Sequence, residues 1–572
     1  MSSLTKRITF FLILLPIVHF VEAEEVDKNP NLILTAQVES LPNIAKDSEK
    51  TEPIISTEFS DITALSKNKI FQNKGHMVQE NLIPLTLKDT IVRTLSNNVT
   101  IAVEEFNSKV KTERLIDNQS QFDATFEIDF SLEESIQQQA SAFSSPNKSR
   151  NNNYTWDASL SQKMETGANY ELSFKNKKNK SNSVTLGLNP NYSTGLEFSI
   201  TQPILKNFGS DLNKRNIYIA NNEVNISDYE FKNKVIDVIS NVENVYWDLV
   251  FSIENLKVKK KSLERAKDLE RRVKAQVAVG TMAEIETLQA ESEVASREES
   301  LLIAHDAIQD NEDNLKSLLN INFESTEGHN SIYPSDKPSM IIEDVDLNAV
   351  IKEALSIRPD YLGKKKELDN QNIMVKYKEN QIYPSIDLVG SLGLNGLSGN
   401  AIEVTSGTFT GKSSFGGGYG EALSHALSAN YLNWELGVKL SYPLGNRSAK
   451  SQLAASRLEA AQLILSIKEL EKEIILEVRE AVRQLKTDVK RVQASTVAKR
   501  LAEKKLKAEE KKFEVGLSTS FNVLEFQEDL AEQQSNEIKA IIDYNKSKTR
   551  FHQVMASTLK AHDIKLQAKE NS

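Results

Sequence analysis

The chain predicts a mostly α fold with a smaller membrane-type β portion, built as an internal duplication of long α-helical hairpins. Three observations carry this. Val279-Gly280-Thr281 and Val515-Gly516-Leu517 lie 236 residues apart, each closes a heptad-patterned run, and Ile285 and Leu288 recur as Phe521 and Leu524 at the same offset. Long segments repeat apolar residues every three or four positions, as amphipathic helices do. Shorter segments alternate strictly, as strands do. Self-similarity with a glycine turn between helices is an architectural sign, and it points to a conduit or scaffold more than to a catalytic pocket.

The order of elements begins with a leader. Lys6 and Arg7 precede the apolar run Ile8–Val21 and the small-residue pattern Val21-Glu22-Ala23, so a secretory signal cleaved after Ala23 is expected. That run is short of the roughly 20 residues a spanning helix needs. Residues 24–84 are polar and aperiodic (Lys46-Asp47-Ser48-Glu49-Lys50) and read as a flexible extension, and 561–572 as a polar tail. The chain has no cysteine, so no disulfide holds it. Its net charge is −10 with dispersed basic residues, which argues against a nucleic-acid partner. Seven histidines stand singly without ligand spacing, and neither a metal site nor a cofactor is predicted.

A first helix is expected over Leu85–Gln121, with Leu87, Ile91 and Leu95 on one face. Alternation follows at Phe122, Ala124, Phe126, Ile128, Phe130 and Leu132, and again at Leu196, Phe198 and Ile200. Such segments fit the ~9–11-residue tilted strands of a membrane barrel, and an ordinary half-buried sheet gives the same pattern. Residues 140–153 read as a Ser/Asn-rich loop; Tyr170, Leu172 and Phe174, with Val184, Leu186 and Leu188, read as additional or extended strands. Pro203 marks a strand-to-helix junction, because proline cannot donate to a ladder and suits a first helical turn.

From Leu205 to Val279 the apolar residues Val235, Val238, Val242, Val245, Leu249, Ile253 and Leu256 follow a coiled-coil rhythm. That helix would be ~110 Å long, and the one after Gly280, to Ile321, ~60 Å. A polar stretch with Gly328, Pro334 and Pro338 separates it from a helix over Leu347–Tyr383, whose Leu347, Ile351 and Leu355 echo Leu87, Ile91 and Leu95 at an offset of 260. Alternation returns at Ile386, Leu388, Gly390, Leu392 and Leu394, and at Leu432, Trp434, Leu436, Val438 and Leu440, around a Gly/Ser/Thr-rich loop at 396–420. Tyr154, Trp156, Tyr431, Trp434 and Tyr442 are candidates for an aromatic girdle. After Pro443, the second junction, come a ~104 Å helix over Arg447–Val515 and a ~63 Å helix over Ser518–Leu559. The halves are thus 85–346 and 347–560. By length, 280–321 is expected to stack end to end with 347–383, and 518–559 with 85–121.

These pieces, in order and twice over, resemble the outer membrane efflux protein family, the TolC-like outer membrane factors. The resemblance spans Ile83 to Leu559 and rests on Leu85-Thr86-Leu87, Thr201-Gln202-Pro203-Ile204-Leu205, Tyr246-Trp247, and Val279-Gly280 followed by Leu288-Gln289-Ala290-Glu291. It implies a homotrimer in the outer membrane, with four strands per protomer in a shared twelve-stranded barrel and the helices forming a periplasmic α-barrel. It further implies a passive exit duct of a tripartite efflux or type I secretion system. Its partners would be outer-membrane lipid, a periplasmic adaptor (membrane fusion) protein and an inner-membrane transporter.

The resemblance also places a periplasmic gate. Glu525 and Asn522 fall on the selectivity-ring positions, Glu286 on a gating position, and Gly280 and Gly516 on the adaptor-docking tips. Phe513 and Ser518 stand where the family has an aromatic hydroxyl and an arginine. Phe513 cannot hydrogen-bond Glu286 and Ser518 cannot form a salt bridge, so that polar latch is not expected in the family's form. The alternative is a periplasmic coiled-coil adaptor or structural protein with a soluble β domain; the doubled strand set and the helix lengths weigh against it. No Ser/His/Asp set or phosphate-cradling loop suggests an enzyme, and no catalytic residue is assigned.

Overall fold

The computed structural model describes residues 82–138, 148–184, 186–338, 340, 345–406 and 409–565. The expected signal, nearly all of the 24–84 extension, residues 140–147 of the first loop and the end of the tail lie outside the described residues.

The chain runs through one structural unit twice. After strand β1 (Ile83–Leu85) come helices α1 (Leu87–Asn97) and α2 (Val99–Gln119), then strands β2 (Thr125–Gln138), β3 (Lys148–Lys163), β4 (Asn169–Ser181) and β5 (Leu188–Pro203). The single turn α3 (Ser210–Asn213), the long α4 (Arg215–Ala278) and α5 (Glu284–Leu318) complete the first pass. A linker carries α6 (Thr326–His329) and β6 (Ile332–Pro334), which pairs in parallel with β1. The second pass begins with α7 (Leu347–Ile357), α8 (Pro359–Asn380), β7 (Ser385–Ala401) and the small hairpin of β8 (Glu403–Ser406) and β9 (Phe409–Lys412). It continues through α9 (Tyr419–Leu427), β10 (Leu432–Ser441), α10 (Arg447–Glu514), α11 (Ser520–Val554) and α12 (Thr558–Ala561).

The repeat is visible in the element bounds. α1 and α7 are each 11 residues long and start and end 260 residues apart. α5 and α11 are each 35 residues long and start and end 236 apart. The long helices have 64 and 68 residues, which makes them ~96 and ~102 Å at 1.5 Å per residue. Their heptad positions form the interior: Val235, Val242 and Leu249 in α4, and Ile474 and Val478 in α10, are fully buried. Among the described residues no helix is long and apolar enough to cross a membrane.

Each shorter helix expected over 85–121 and 347–383 is instead broken once, at equivalent positions. Asn98 leaves the helical region and its side chain accepts from the amides of Thr100 and Ile101, so it caps α2. Arg358 precedes Pro359, which excludes it from the helical region and starts α8 afresh.

The breaks also determine the stacking. The Asn98 side-chain amide donates to the Leu318 carbonyl at 2.9 Å, seating α2 on the end of α5. Arg358 reaches the Val554 carbonyl at 3.3 Å, seating α8 on the end of α11. The end-to-end pairing expected from lengths is therefore exchanged: each stack forms within its own repeat. Length alone did not distinguish the two pairings, because the upper helices are nearly equal.

At the other end of the rods the sheet begins, and three expectations change there. Pro203 ends β5 and Pro443 follows β10; α10 starts at Arg447 as expected, but α4 starts only at Arg215 and not at Leu205. Between them the chain turns through positive φ at Asn207 and Gly209, and at Gly445 and Asn446, where no helix can continue. The 396–420 segment is not a plain loop: β7 extends into it and α9 packs on the sheet, with Ser398 donating to the Gly418 carbonyl at 2.6 Å.

Among the described residues the sheet has six strands, in the antiparallel order β10-β7-β5-β4-β3-β2, where four per protomer were expected. The extra pair is β3 and β4. Its weak alternation (Tyr154, Trp156, then Lys175 to Lys180) and the Asn run at 151–153 had read as loop and optional strand. One face carries Phe130, Trp156, Phe174, Leu196, Leu394 and Leu432 along its rows, and the opposite face Asp157, Lys175, Glu197, Asn395 and Asn433. The two faces therefore differ in polarity along the whole sheet, as the period-two alternation predicts.

Candidate functional site at the paired helical tips

The two long helices end alike. At α4 the Gly280 amide donates to Val277 O at 2.9 Å and the Thr281 amide to Gln276 O at 3.0 Å. At α10 the Gly516 amide donates to Phe513 O at 3.0 Å and the Leu517 amide to Lys512 O at 2.8 Å. This double closure needs a residue at positive φ, and Gly280 and Gly516 sit at 76° and 77°. The next helix then starts within a few residues. Thr519 caps α11 by accepting from the Asn522 amide, while Glu284 and Glu286 place negative charge at the N-terminal turn of α5, where the helix dipole favours it.

What the tips present is apolar. Val279, Val515 and Leu517 are 68–78% exposed, and Ile285 and Phe521 more than half. The repeat breaks at the next pair: Leu288 is exposed, whereas Leu524 is buried with Phe513, Val523, Leu269 and Val273. Phe513 is thus a core residue under the tip, and an aromatic hydroxyl there would have nothing polar to meet among those neighbours.

The predicted polar positions are distributed over two bonds and one free surface. Glu286 accepts from the Ser520 hydroxyl, a link between the first hairpin and the second. Ser518 donates to Glu509 at 2.6 Å, Lys512 donates to the same carboxylate at 2.8 Å, and the Asn522 amide group approaches Ser518 at 3.4 Å. The Lys512 ammonium, then the Ser518 hydroxyl, hold the Glu509 carboxyl below the ordinary carboxylate range. Glu525 is exposed on α11 and joins neither group.

Three residues here escaped sequence reasoning. Ser520 and Glu509 sit on segments that read as solvated helix surface; the Thr519-Ser520 pair before an apolar run was the available signal. Arg297, buried on α5, donates to Glu293 and Gln527 side chains and to the Ser262 and Leu524 carbonyls, so one guanidinium ties α4, α5 and α11 together. Nothing in its local sequence distinguishes it from an ordinary surface arginine.

With two equivalent tips, two long rods and a two-faced sheet on the page, comparison with known proteins is decisive. The family model described as outer membrane efflux protein matches residues 127–320 and 350–556, one segment per repeat and more than half of the chain. The chain belongs to the outer membrane efflux protein family. The CmeC outer membrane channel of Campylobacter jejuni has the same fold (TM-score 0.60, 15% identity, 82% of this chain and 85% of that one). So does the outer membrane protein VceC of Vibrio cholerae (TM-score 0.56, 15% identity, 82% and 96%). The MtrE outer membrane channel of Neisseria gonorrhoeae, in its open state, aligns at TM-score 0.54 with 14% identity over 86% and 95%. No curated protein sequence matches. Outer membrane efflux proteins are channels, which places this chain's function in efflux across the outer membrane and sets aside the reading as a periplasmic adaptor.

Proposed function

We propose that this outer membrane efflux protein is a passive homotrimeric exit duct, secreted with cleavage of its leader after Ala23. Its sheet sits in outer-membrane lipid and its helices reach across the periplasm. A periplasmic adaptor docks on the Gly280 and Gly516 tips, and an inner-membrane transporter supplies the energy. The observation that carries this reading is the pairing of a sheet with one apolar and one polar face with ~100 Å rods that end in bare apolar turns. Exposed hydrophobic residues clustered at the far end of a long rod are suited to a protein partner.

The gate follows from the same arrangement. In a trimer, three exposed Glu525 carboxylates around one axis form an acidic ring with Asn522 beside it, attracting cations and repelling one another. Glu286 serves a different purpose here, since its carboxylate is engaged by Ser520. Heat-modifiable gel mobility of outer-membrane fractions and stepwise conductance in planar bilayers test the duct. A soluble monomer without conductance would overturn it.

A further inference from the structure

The sheet ends on both sides in a strand with one open edge. β2 and β10 are the outermost strands among the described residues, and each leaves a row of backbone donors and acceptors unpaired. Inside a bilayer such edges must be closed. The two edges suit each other. In an alternating six-stranded order β2 and β10 run in opposite directions, so the β2 edge of one copy meets the β10 edge of the next as an antiparallel pair. Their faces match too. Phe126, Ile128, Phe130 and Leu132 on β2 lie on the same side as Leu432, Trp434, Leu436 and Val438 on β10, and these residues are half to three-quarters exposed in one copy.

The extra β3–β4 hairpin belongs to this wall. It is in continuous register with β2 on one side and β5 on the other. Its turn is fastened to the junction at the base of α4: Glu165 pairs with Lys214 at 2.5 Å, and the Gly209 amide donates to the Thr166 carbonyl at 3.1 Å. Gly167, at φ 94°, lies where a side chain would strike the Asn207 carbonyl and the Asn213 amide group. The hairpin therefore starts at the level where the other strands leave the helices.

We propose, resting on the trimeric reading above, that the copies close β2 to β10 into an eighteen-stranded barrel rather than a twelve-stranded one. With strands about 4.8 Å apart and tilted about 40°, eighteen give a diameter of about 36 Å, against about 24 Å for twelve. The outer mouth then has roughly twice the cross-section, in the range where barrels hold an open aqueous channel. The helical part gains nothing from the insertion, so the duct widens at its exit.

The chain contains no cysteine, so engineered pairs can be read cleanly. Phe130→Cys is combined in turn with Leu432→Cys, Trp434→Cys, Leu436→Cys, Val438→Cys or Leu440→Cys, and membranes are oxidised. One pair, or two neighbouring ones, should shift the denatured protein from the monomer band to covalent dimers and trimers. Phe130→Cys with Leu196→Cys, Phe198→Cys or Ile200→Cys should stay unlinked, because β3 and β4 intervene. A bond within the monomer in this second set, or no bond in the first set from a protein of trimer mass, overturns the eighteen-stranded wall. A native mass other than three copies overturns the trimeric reading instead, and the first set still reports whether β2 meets β10.

Discussion

Ser520 donates its hydroxyl to the Glu286 carboxylate, joining the first turns of two helices whose sequence positions differ by 234. Ser520 is fully buried and Glu286 half-buried, and the bond to the carboxylate is charge-assisted. A hydrogen bond to an ionised group contributes about 1.5–3 kcal/mol. Ser520→Ala should loosen the two tips from each other and raise single-channel conductance or open probability in planar bilayers, while Ser520→Thr should behave nearly as the parent. Equal conductance in all three would show that this link does not restrain the tip.

Glu509 gives the tip an acid limit. Its native carboxyl lies below the unfolded value of about 4.3, held there by Lys512 and Ser518. A depressed native pKa contributes stability above the unfolded pKa, and that contribution fades as pH falls through the native value. The α10 tip should therefore hold at pH 5 and above and open progressively below about pH 4. Glu509→Gln should show fast hydrogen exchange of the 513–520 amides already at neutral pH, with little further acid dependence there. An unchanged acid limb in this variant would assign the transition to another group.

The tips and rods were legible in the sequence because they depend on local rules. A glycine after a heptad run needs only the positive φ it supplies, and α5 and α11 begin at Glu284 and Ser520, a few residues past the expected starts. The sheet was half legible. β2, β7 and β10 alternate cleanly, but β3 and β4 carry Asn and Lys where they pass beyond the apolar belt, and polar strands do not differ from loops in pattern. Stacking was not legible, since it rests on two long-range bonds, Asn98 to Leu318 and Arg358 to Val554. Glu286, Ser518 and Asn522 lie beside the two glycine turns, but the partners they bond were not legible. Ser518, past the end of α10, finds Glu509 within it across the Gly516 turn, a relation no motif encodes.

Gly516 should be required for conformation and not for space. No atom lies within 4 Å of where its side chain would begin, so any cost of substitution is that of holding φ at 77°. For a side-chain-bearing residue this is about 1–2 kcal/mol, more for a β-branched one. Gly516→Val should reduce export without reducing the assembled oligomer in membranes, and Gly516→Asn, which tolerates that region, should retain most export. Loss of the oligomer would make the turn a folding element.

Arg297 is the residue on which tip stability should depend most. Its removal takes the partner from the Glu293 carboxylate and from the buried Gln527 side chain, and the extra donor from two helix carbonyls. Breaking such an arrangement costs about 3–5 kcal/mol. Arg297→Ala should lower the thermal stability of the purified oligomer, and Arg297→Lys should recover only part of the loss, because an ammonium cannot reach three directions as a planar fork does. Full recovery by lysine would mean that charge alone suffices.

Glu525 is the remaining acid, exposed on α11 four residues beyond Phe521. Three copies around an axis would bind a multivalent cation far better than a monovalent one, because several carboxylates share each ion and relieve their own repulsion. Glu525→Ala should therefore weaken block of conductance by divalent and trivalent cations added on the periplasmic side, by tenfold or so for each ~1.4 kcal/mol of lost binding. Block from the other side should change less, and Asn522→Ala should have a smaller effect, since an amide brings no charge. If block survives Glu525→Ala unchanged, the ring lies elsewhere on α11 or α5, and Glu286, freed in the Ser520→Ala background, becomes the first position to test by the same titration.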